Sequence, residues 1–222
     1  MPRILNVQSS LNIESSASRS ASKVYIDRYV AANPDSVVVD LDLVANPPSH
    51  LSTHHLAGLF GPPPHAPESA EALKTSEAYL QQLFDSDVIV VATPMHNLGI
   101  SSTLKSWIDN LVRRGRTFIF DENGQAIGLV PSSKRLVIVV ASGGIYSAGP
   151  MAVVDHASSY IKDVFNFMGV SDVSIVRAEG QTMGPDMATK GLANAWAEAQ
   201  ALADRHSGVA DKAAEPPASA VA

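Results

Sequence analysis

The chain has 222 residues, 45% apolar and 17% charged, with 16 Lys and Arg against 22 Asp and Glu for a net charge of −6. This describes one sizeable α/β domain rather than a disordered or fibrous chain, and the acidic balance without a basic run argues against nucleic acid or an anionic membrane as partner. Cysteine is absent, which excludes disulfides, thiolate metal sites and a cysteine nucleophile.

In chain order, runs rich in Val and Ile at residues 4–7, 37–41, 88–92 and 136–141, and a fifth at 173–176, alternate with helical patterns. Each run is nearly continuous, so the strand it predicts is expected to have both faces covered. The pattern predicts a doubly wound, five-stranded parallel sheet with helices on both faces. Residues 17–32 and 68–84 predict helices. Leu104, Trp107, Ile108, Leu111 and Val112 form one apolar stripe, and Ala157, Tyr160, Ile161, Val164, Phe165 and Met168 form another. An alanine-rich helix is predicted over residues 186–205.

Residues 45–67 hold six of the 14 prolines and four of the seven histidines and predict a long surface excursion. Within 117–130, Asn123-Gly124 between apolar flanks predicts an inserted hairpin. Phe118 and Phe120 share a face of its first strand, and a partner subunit is one place to bury them. A single domain over residues 1–206 is expected, with a disordered tail at 207–222. The N-terminus has no signal-peptide stretch and no segment approaches the roughly 18 apolar residues of a membrane span, so a soluble, cytoplasmic protein is expected.

In an open α/β sheet, ligands bind beyond the carboxyl ends of the strands, where the strand order reverses. After the first strand, Ser9, Ser10, Ser15, Ser16, Ser18 and Ser20 crowd a helix start, with neither G-x-G-x-x-G nor G-x-x-x-x-G-K-[ST] present. A helix N-terminus favours an anion, and serine adds donors without adding negative charge. A hydrogen bond to a charged group contributes about 1.5–3 kcal/mol, so three or four such donors can hold a phosphate without a lysine. Arg19 is available to help. The third strand runs into Thr93-Pro94-Met95-His96-Asn97-Leu98-Gly99. Pro94 is expected to stop the ladder there and expose backbone amides to a planar heterocycle, with Met95 and Leu98 against its body. After the fourth strand, Gly143-Gly144 allows close approach to a ligand.

The order SS-x5-SxSxS, TPMHN, ASGGIYSAGP and AEGQTMGP resembles the FMN-dependent NADH-azoreductase and NADH:quinone oxidoreductase family over about residues 3–205. The resemblance implies a flavodoxin-like fold, FMN as cofactor, NADH or NADPH as donor, and two-electron ping-pong reduction of quinones or azo compounds. It places FMN phosphate contacts on Ser10, Ser16, Ala17 and Ser18. It places ring contacts on Met95, His96, Asn97 and Leu98, and on Ala141, Ser142, Gly143 and Gly144. Asn97, Gly143 and Gly144 are candidates for tuning the ring, with His96 either a proton donor or merely exposed. The resemblance also implies a homodimer with flavin sites at the interface and Phe120 of the partner's hairpin lining the substrate space. His96-Asn97-Leu98 stands where the family commonly has Tyr-Asn-Phe, and Ser142 where it often has Arg.

Rival readings are weaker. A serine hydrolase lacks G-x-S-x-G. His50, His54 and His55 lack the context of a zinc site, and no metal is expected. A phosphoacceptor module would need an aspartate where Thr93 stands. The alternative that remains is a flavodoxin-like FMN-binding electron carrier without NAD(P)H oxidase activity.

Overall fold

The structure, a computed structural model, describes residues 1–60 and 66–208. The chain runs β1 (Arg3–Gln8), α1 (Ala17–Ala32), β2 (Val37–Asp42), α2 (Thr53–Phe60), α3 (Pro67–Asp85), β3 (Val88–Pro94) and α4 (Ser102–Leu111). It continues through β4 (Phe118–Phe120), β5 (Ala126–Gly128), β6 (Arg135–Ala141), a 3₁₀ turn (Pro150–Val154), α5 (Ser158–Met168), β7 (Asp172–Ala178) and α6 (Pro185–His206). Five strands form one parallel sheet in the order β2-β1-β3-β6-β7, and β4-β5 is a separate antiparallel hairpin. The chain steps outward from β1 to β2 and then returns across β1 to β3, so the order reverses between β1 and β3.

Alternate residues of the strands feed two cores. Leu5, Val7, Ile89, Val91, Leu136 and Ile138 pack with Trp107 and Ile108 of α4 and Phe165 of α5 on one face. Ile4, Val90, Ala92, Val137 and Val139 pack with Tyr25 of α1 and Ala199 of α6 on the other. The central strands are therefore covered on both sides, as their continuous apolar runs predict. The edge strands differ: Val37 of β2 is 39% exposed and β7 is mostly half-buried, because a sheet edge lies beyond the reach of the flanking helices.

The surface excursion expected over residues 45–67 is in part a helix. Ser52 and His55 close the start of α2, with the Ser52 amide donating to His55 Nδ1 at 3.0 Å, and Gly58 lets α2 lie against Leu73 of α3. A Cβ at Gly58 would sit 2.8 Å from the Leu73 side chain. Residues 61–65 of that excursion, and the tail from 209 for which disorder is expected, lie outside the described residues. The hairpin forms, with a loop longer than Asn123-Gly124 alone. Asp121 organises it by accepting from the amides of Asn123 at 2.9 Å and Gln125 at 2.8 Å, while Gly124 takes the left-handed conformation at φ 76°.

Phe118 finds a site in its own chain, 4.8 Å from the Phe167 ring, whereas Phe120 stays 47% exposed. The hairpin also binds the end of α5 through Val130 N to Met168 O at 2.9 Å. It therefore sits at the end of the sheet where strands begin, opposite the loops that follow β1, β3 and β6. No helix among the described residues is long and apolar enough to cross a membrane.

Candidate functional site

Three loops meet beyond the carboxyl ends of β1, β3 and β6. The first leaves β1 after Ser9, whose amide adds a last rung to Ala92 O at 3.0 Å. Asn12 then folds the loop on itself, donating to Ser15 Oγ at 2.8 Å and accepting from the Ser15 amide at 3.0 Å. Ser16 caps α1 by accepting from the Arg19 amide at 3.2 Å. The preceding amides of that first turn, on Ala17 and Ser18, have no acceptor among the described residues. They are the orphan donors of a helix start, aligned with its dipole.

Arg19 does not join them. Its guanidinium holds Asp42 at 2.7 and 3.0 Å and the carbonyl of Ser10 at 2.8 Å, which corrects its expected role toward phosphate. The hydrogen bond from Arg19 holds the Asp42 carboxyl below the usual carboxylate range.

The second loop corrects the expectation that Pro94 ends the ladder. The strand runs through Pro94, and the Met95 amide adds one more rung to Ala141 O at 2.7 Å. Only then does the chain reverse. His96 and Gly99 exchange both backbone hydrogen bonds at 2.9 Å, across Asn97 at φ 48° and Leu98 at φ 70°. Two successive left-handed residues make a type I′ turn, ordinary for asparagine and strained for leucine. The amides of Asn97 and Leu98 have no acceptor among the described residues. His156 holds the turn from behind, its amide donating to Leu98 O at 3.0 Å. His156 follows Asp155, whose carboxyl burial pushes up and the hydrogen bonds of Ser158 and Arg177 pull down further, leaving it below its ordinary value.

In the third loop the carbonyls of Ser142, Gly143 and Gly144 accept from the amides of Gln181, Thr182 and Gly180 at 3.0–3.1 Å. The amides of Gly143, Gly144 and Ile145 have no acceptor among the described residues. A Cβ on Gly143 would lie 2.6 Å from Thr182 Oγ1, so only glycine fits beside that strap.

Between the loops lies a cleft of about 380 Å³. Of the residues predicted for the site, it is lined by Ser10, Ser16 and Ala17, by Met95 and His96, and by Ala141, Ser142 and Gly143. Ser18 is fully buried behind Ser16, hydroxyl to hydroxyl at 3.1 Å, and Asn97, Leu98 and Gly144 adjoin the lining without forming it. Ser15 of the serine cluster and Pro94 of the second loop also line it, as do Asn12 and Gln181, which sequence reasoning missed; the serine-rich loop was a signal for Asn12. Phe120 does not reach the cleft of its own chain.

Among the described residues the lining holds no carboxylate, lysine or arginine, and it is rich in donors. That donor set fits a phosphate with a planar, acceptor-edged ring. A larger groove of about 730 Å³ runs between α1 and β2 on the flank of the sheet, where Arg19 pairs with Asp42 and Lys23 with Asp27, and Asp40 accepts from the Asn6 side chain at 2.7 Å. The histidines of the excursion make separate contacts, His50 with Ser106 at 2.9 Å and His55 with Ser52.

Comparison with known proteins agrees with this geometry. Residues 2–203 match the family described as a flavodoxin-like fold. The FMN-dependent NADH:quinone oxidoreductase of Mesorhizobium japonicum is 42% identical over 200 residues, covering 90% of this chain and 94% of that protein. The protein of the same name from Herminiimonas arsenicoxydans is 40% identical over 87% of this chain and 94% of its own. Among solved structures, an azoreductase from Bacillus anthracis superposes with a TM-score of 0.85 at 29% identity, covering 92% of this chain and all of that one. An FMN-dependent NADH-azoreductase of the same organism, solved in complex with FMN, gives 0.84 at 26% identity over 93% of this chain and 100% of its own. By the match over residues 2–203 and the identity of 42%, the chain belongs to the flavodoxin-like family of FMN-dependent NADH:quinone oxidoreductases.

Proposed function

We propose that this protein binds FMN in the cleft and uses it to pass electrons from NADH to quinones or azo compounds. The observation that carries this reading is that main-chain amides without an acceptor among the described residues surround one cleft lined by no carboxylate: those of Ala17 and Gly143 belong to its lining, and those of Ser18, Asn97, Leu98, Gly144 and Ile145 adjoin it in sequence. The amides of Ala17 and Ser18, at the start of α1 beside the hydroxyls of Ser10 and Ser16, would hold the phosphate. Those of the second and third loops would hold the polar edge of the ring, with Met95 against its apolar body. FMN supplies the hydride chemistry, accepting two electrons from NADH and giving them to the second substrate. The protein's part is to fix the ring, to offer donors where negative charge gathers, and to narrow the space above it.

The reading includes a homodimer. Leu11 at 67%, Ile13 at 63% and Val153 at 81% exposed leave apolar surface on the loops that bound the cleft end of the sheet. The hairpin with exposed Phe120 stands at the other end, so Phe120 meets a flavin only in a second copy, as a C2 pair arranges it. One domain over residues 1–206 is part of the same proposal.

The test is spectroscopic and kinetic. Purified protein, or protein titrated with FMN, should show flavin absorbance and quench FMN fluorescence, and should then oxidise NADH steadily in the presence of a naphthoquinone, with parallel double-reciprocal plots. Flavin uptake without steady NADH oxidation would favour the electron carrier; no uptake at all would defeat both. Ser16→Asp should weaken FMN retention while leaving the fold intact, because aspartate caps α1 as serine does but adds negative charge beside the phosphate position.

A further inference from the structure

The segment after β7 belongs to the AEGQTMGP motif, and most of it straps the third loop of the cleft. Three successive carbonyls, of Ser142, Gly143 and Gly144, are taken by the amides of Gln181, Thr182 and Gly180. In a trans peptide the N–H points opposite to the C=O of the same plane. The strap therefore turns the amides of Gly143, Gly144 and Ile145 away from itself. A row of such donors is an anion-binding concavity.

What ends the row is Glu179. Its Oε1 accepts from the amides of Tyr146 at 2.6 Å and Ser147 at 2.7 Å, and its Oε2 accepts from the Ser147 hydroxyl at 2.6 Å. No basic side chain pairs with it among the described residues, so the carboxylate is spent on the loop alone. Its own backbone is held hard. α6 passes so close that a Cβ on Gly191 would fall 1.9 Å from Glu179 O, and Gln181 Nε2 spans Glu179 O and Ala188 O at 3.2 Å each.

We infer that Glu179 is a positioning residue: its carboxylate latches Tyr146 and Ser147 and thereby sets the aim of the Gly143, Gly144 and Ile145 amides that grip the redox ring. The consequence for the ring rests on the flavin reading above, whereas the latch itself does not. Because one oxygen takes both amides, Glu179→Gln can keep them and let its new NH₂ donate to the Ser147 hydroxyl. Glu179→Ala loses all three contacts. The two variants carry the same charge, so any difference between them reports the hydrogen bonds.

The experiment compares wild type, Glu179→Gln and Glu179→Ala by amide hydrogen exchange without flavin, by FMN titration, and by the midpoint potential of bound flavin. In Glu179→Ala, exchange at Tyr146 and Ser147 should rise and FMN affinity fall by about tenfold or more, the loss of one charge-assisted hydrogen bond, while Glu179→Gln stays within about threefold of wild type. If the aimed amides favour the reduced ring by a further tenfold, the Ala variant's potential lies about 30 mV below that of the Gln variant. Equal exchange, affinity and potential in the two variants would overturn the proposal. Should Glu179→Ala fail to fold, Glu179→Asp, which withdraws the carboxylate by one carbon, must show the same losses or the latch is refuted. If wild-type protein takes up no FMN, the flavin reading fails, and the exchange data still decide whether Glu179 holds the loop.

Discussion

Arg19 reaches across the top of β1 to grip Asp42 at 2.7 Å while its other nitrogens hold the carbonyl of Ser10. Side-chain exposures of 16% and 29% place the pair in a half-dry setting. Arg19 thus acts on the cleft through the shape of the serine loop. Arg19→Ala should cost about 1–2 kcal/mol, and Arg19→Lys should recover little because lysine lacks the fork. Urea unfolding and FMN titration check this: affinity should fall several-fold in both variants, with no steeper dependence on salt than in wild type.

Leu98 sits at φ 70° where a glycine would sit without strain. Leu98→Gly should raise the stability of flavin-free protein by about 1 kcal/mol, the usual cost of a left-handed non-glycine residue, partly offset by the freer unfolded chain. Thermal unfolding should move up, and FMN affinity should fall as the ring loses an apolar contact. A drop in stability would mean that the leucine's packing outweighs its backbone strain.

Gly143 and Thr182 are coupled by contact. Gly143→Ala should displace the strap and weaken FMN by about tenfold, and adding Thr182→Ala should restore most of that loss by removing the atom the new methyl meets. The double-mutant cycle in FMN affinity measures this directly.

Placing Phe120 in the partner's site predicts complementation between defective chains. Ser16→Asp should spoil the cradle and Phe120→Ala the partner's contribution. Chains refolded together as an equal mixture should regain about a quarter of wild-type activity above the mean of the parents, since half the pairs are hybrids with one complete site each. Activity at the parental mean would remove Phe120 from the substrate space.

His206, at the end of α6, shares a hydrogen bond between its Nδ1 and the Tyr25 hydroxyl at 2.8 Å. Burial, aided by the charge of Arg135, lowers its pKa to about 4, and burial raises that of Tyr25 so that the phenol keeps its proton. An unfolded histidine titrates near 6.5, so between those values the unfolded chain holds a proton that the folded chain does not. Stability from this group is complete above about pH 6.5 and falls on acidification toward pH 4, by roughly 1–2 kcal/mol once solvent screening is allowed for. Urea unfolding at pH 7 and 4.5 should reveal the loss, and His206→Gln should shrink it.

Much of the architecture is legible in residue pattern because strand and helix periods are local. The runs at 88–92 and 136–141 mark the two central strands, and the stripe from Leu104 marks α4. Residues 53–60 escaped because their helix depends on Ser52, on His55 and on the closeness of Gly58 to α3, all masked by the surrounding prolines. In the site, Ser10, Met95 and Gly143 announced themselves as loop chemistry after a strand. Arg19 misled because an arginine beside serines looks like a phosphate ligand until Asp42, distant in sequence, claims it. Glu179 and Gln181 act through contacts with a loop more than thirty residues earlier, and no periodicity encodes such a pairing.

Among the described residues the cleft lining at the start of α1 contains no lysine and no arginine, and the grip proposed for it lies in the path of the backbone itself. Evolutionary drift in side chains erodes such a grip slowly, because nearly every residue type brings the same N–H. Its vulnerability lies in changes of chain geometry: one proline replacing Ala17, or one residue inserted between Ser10 and Ser16, should do more harm than several ordinary substitutions together.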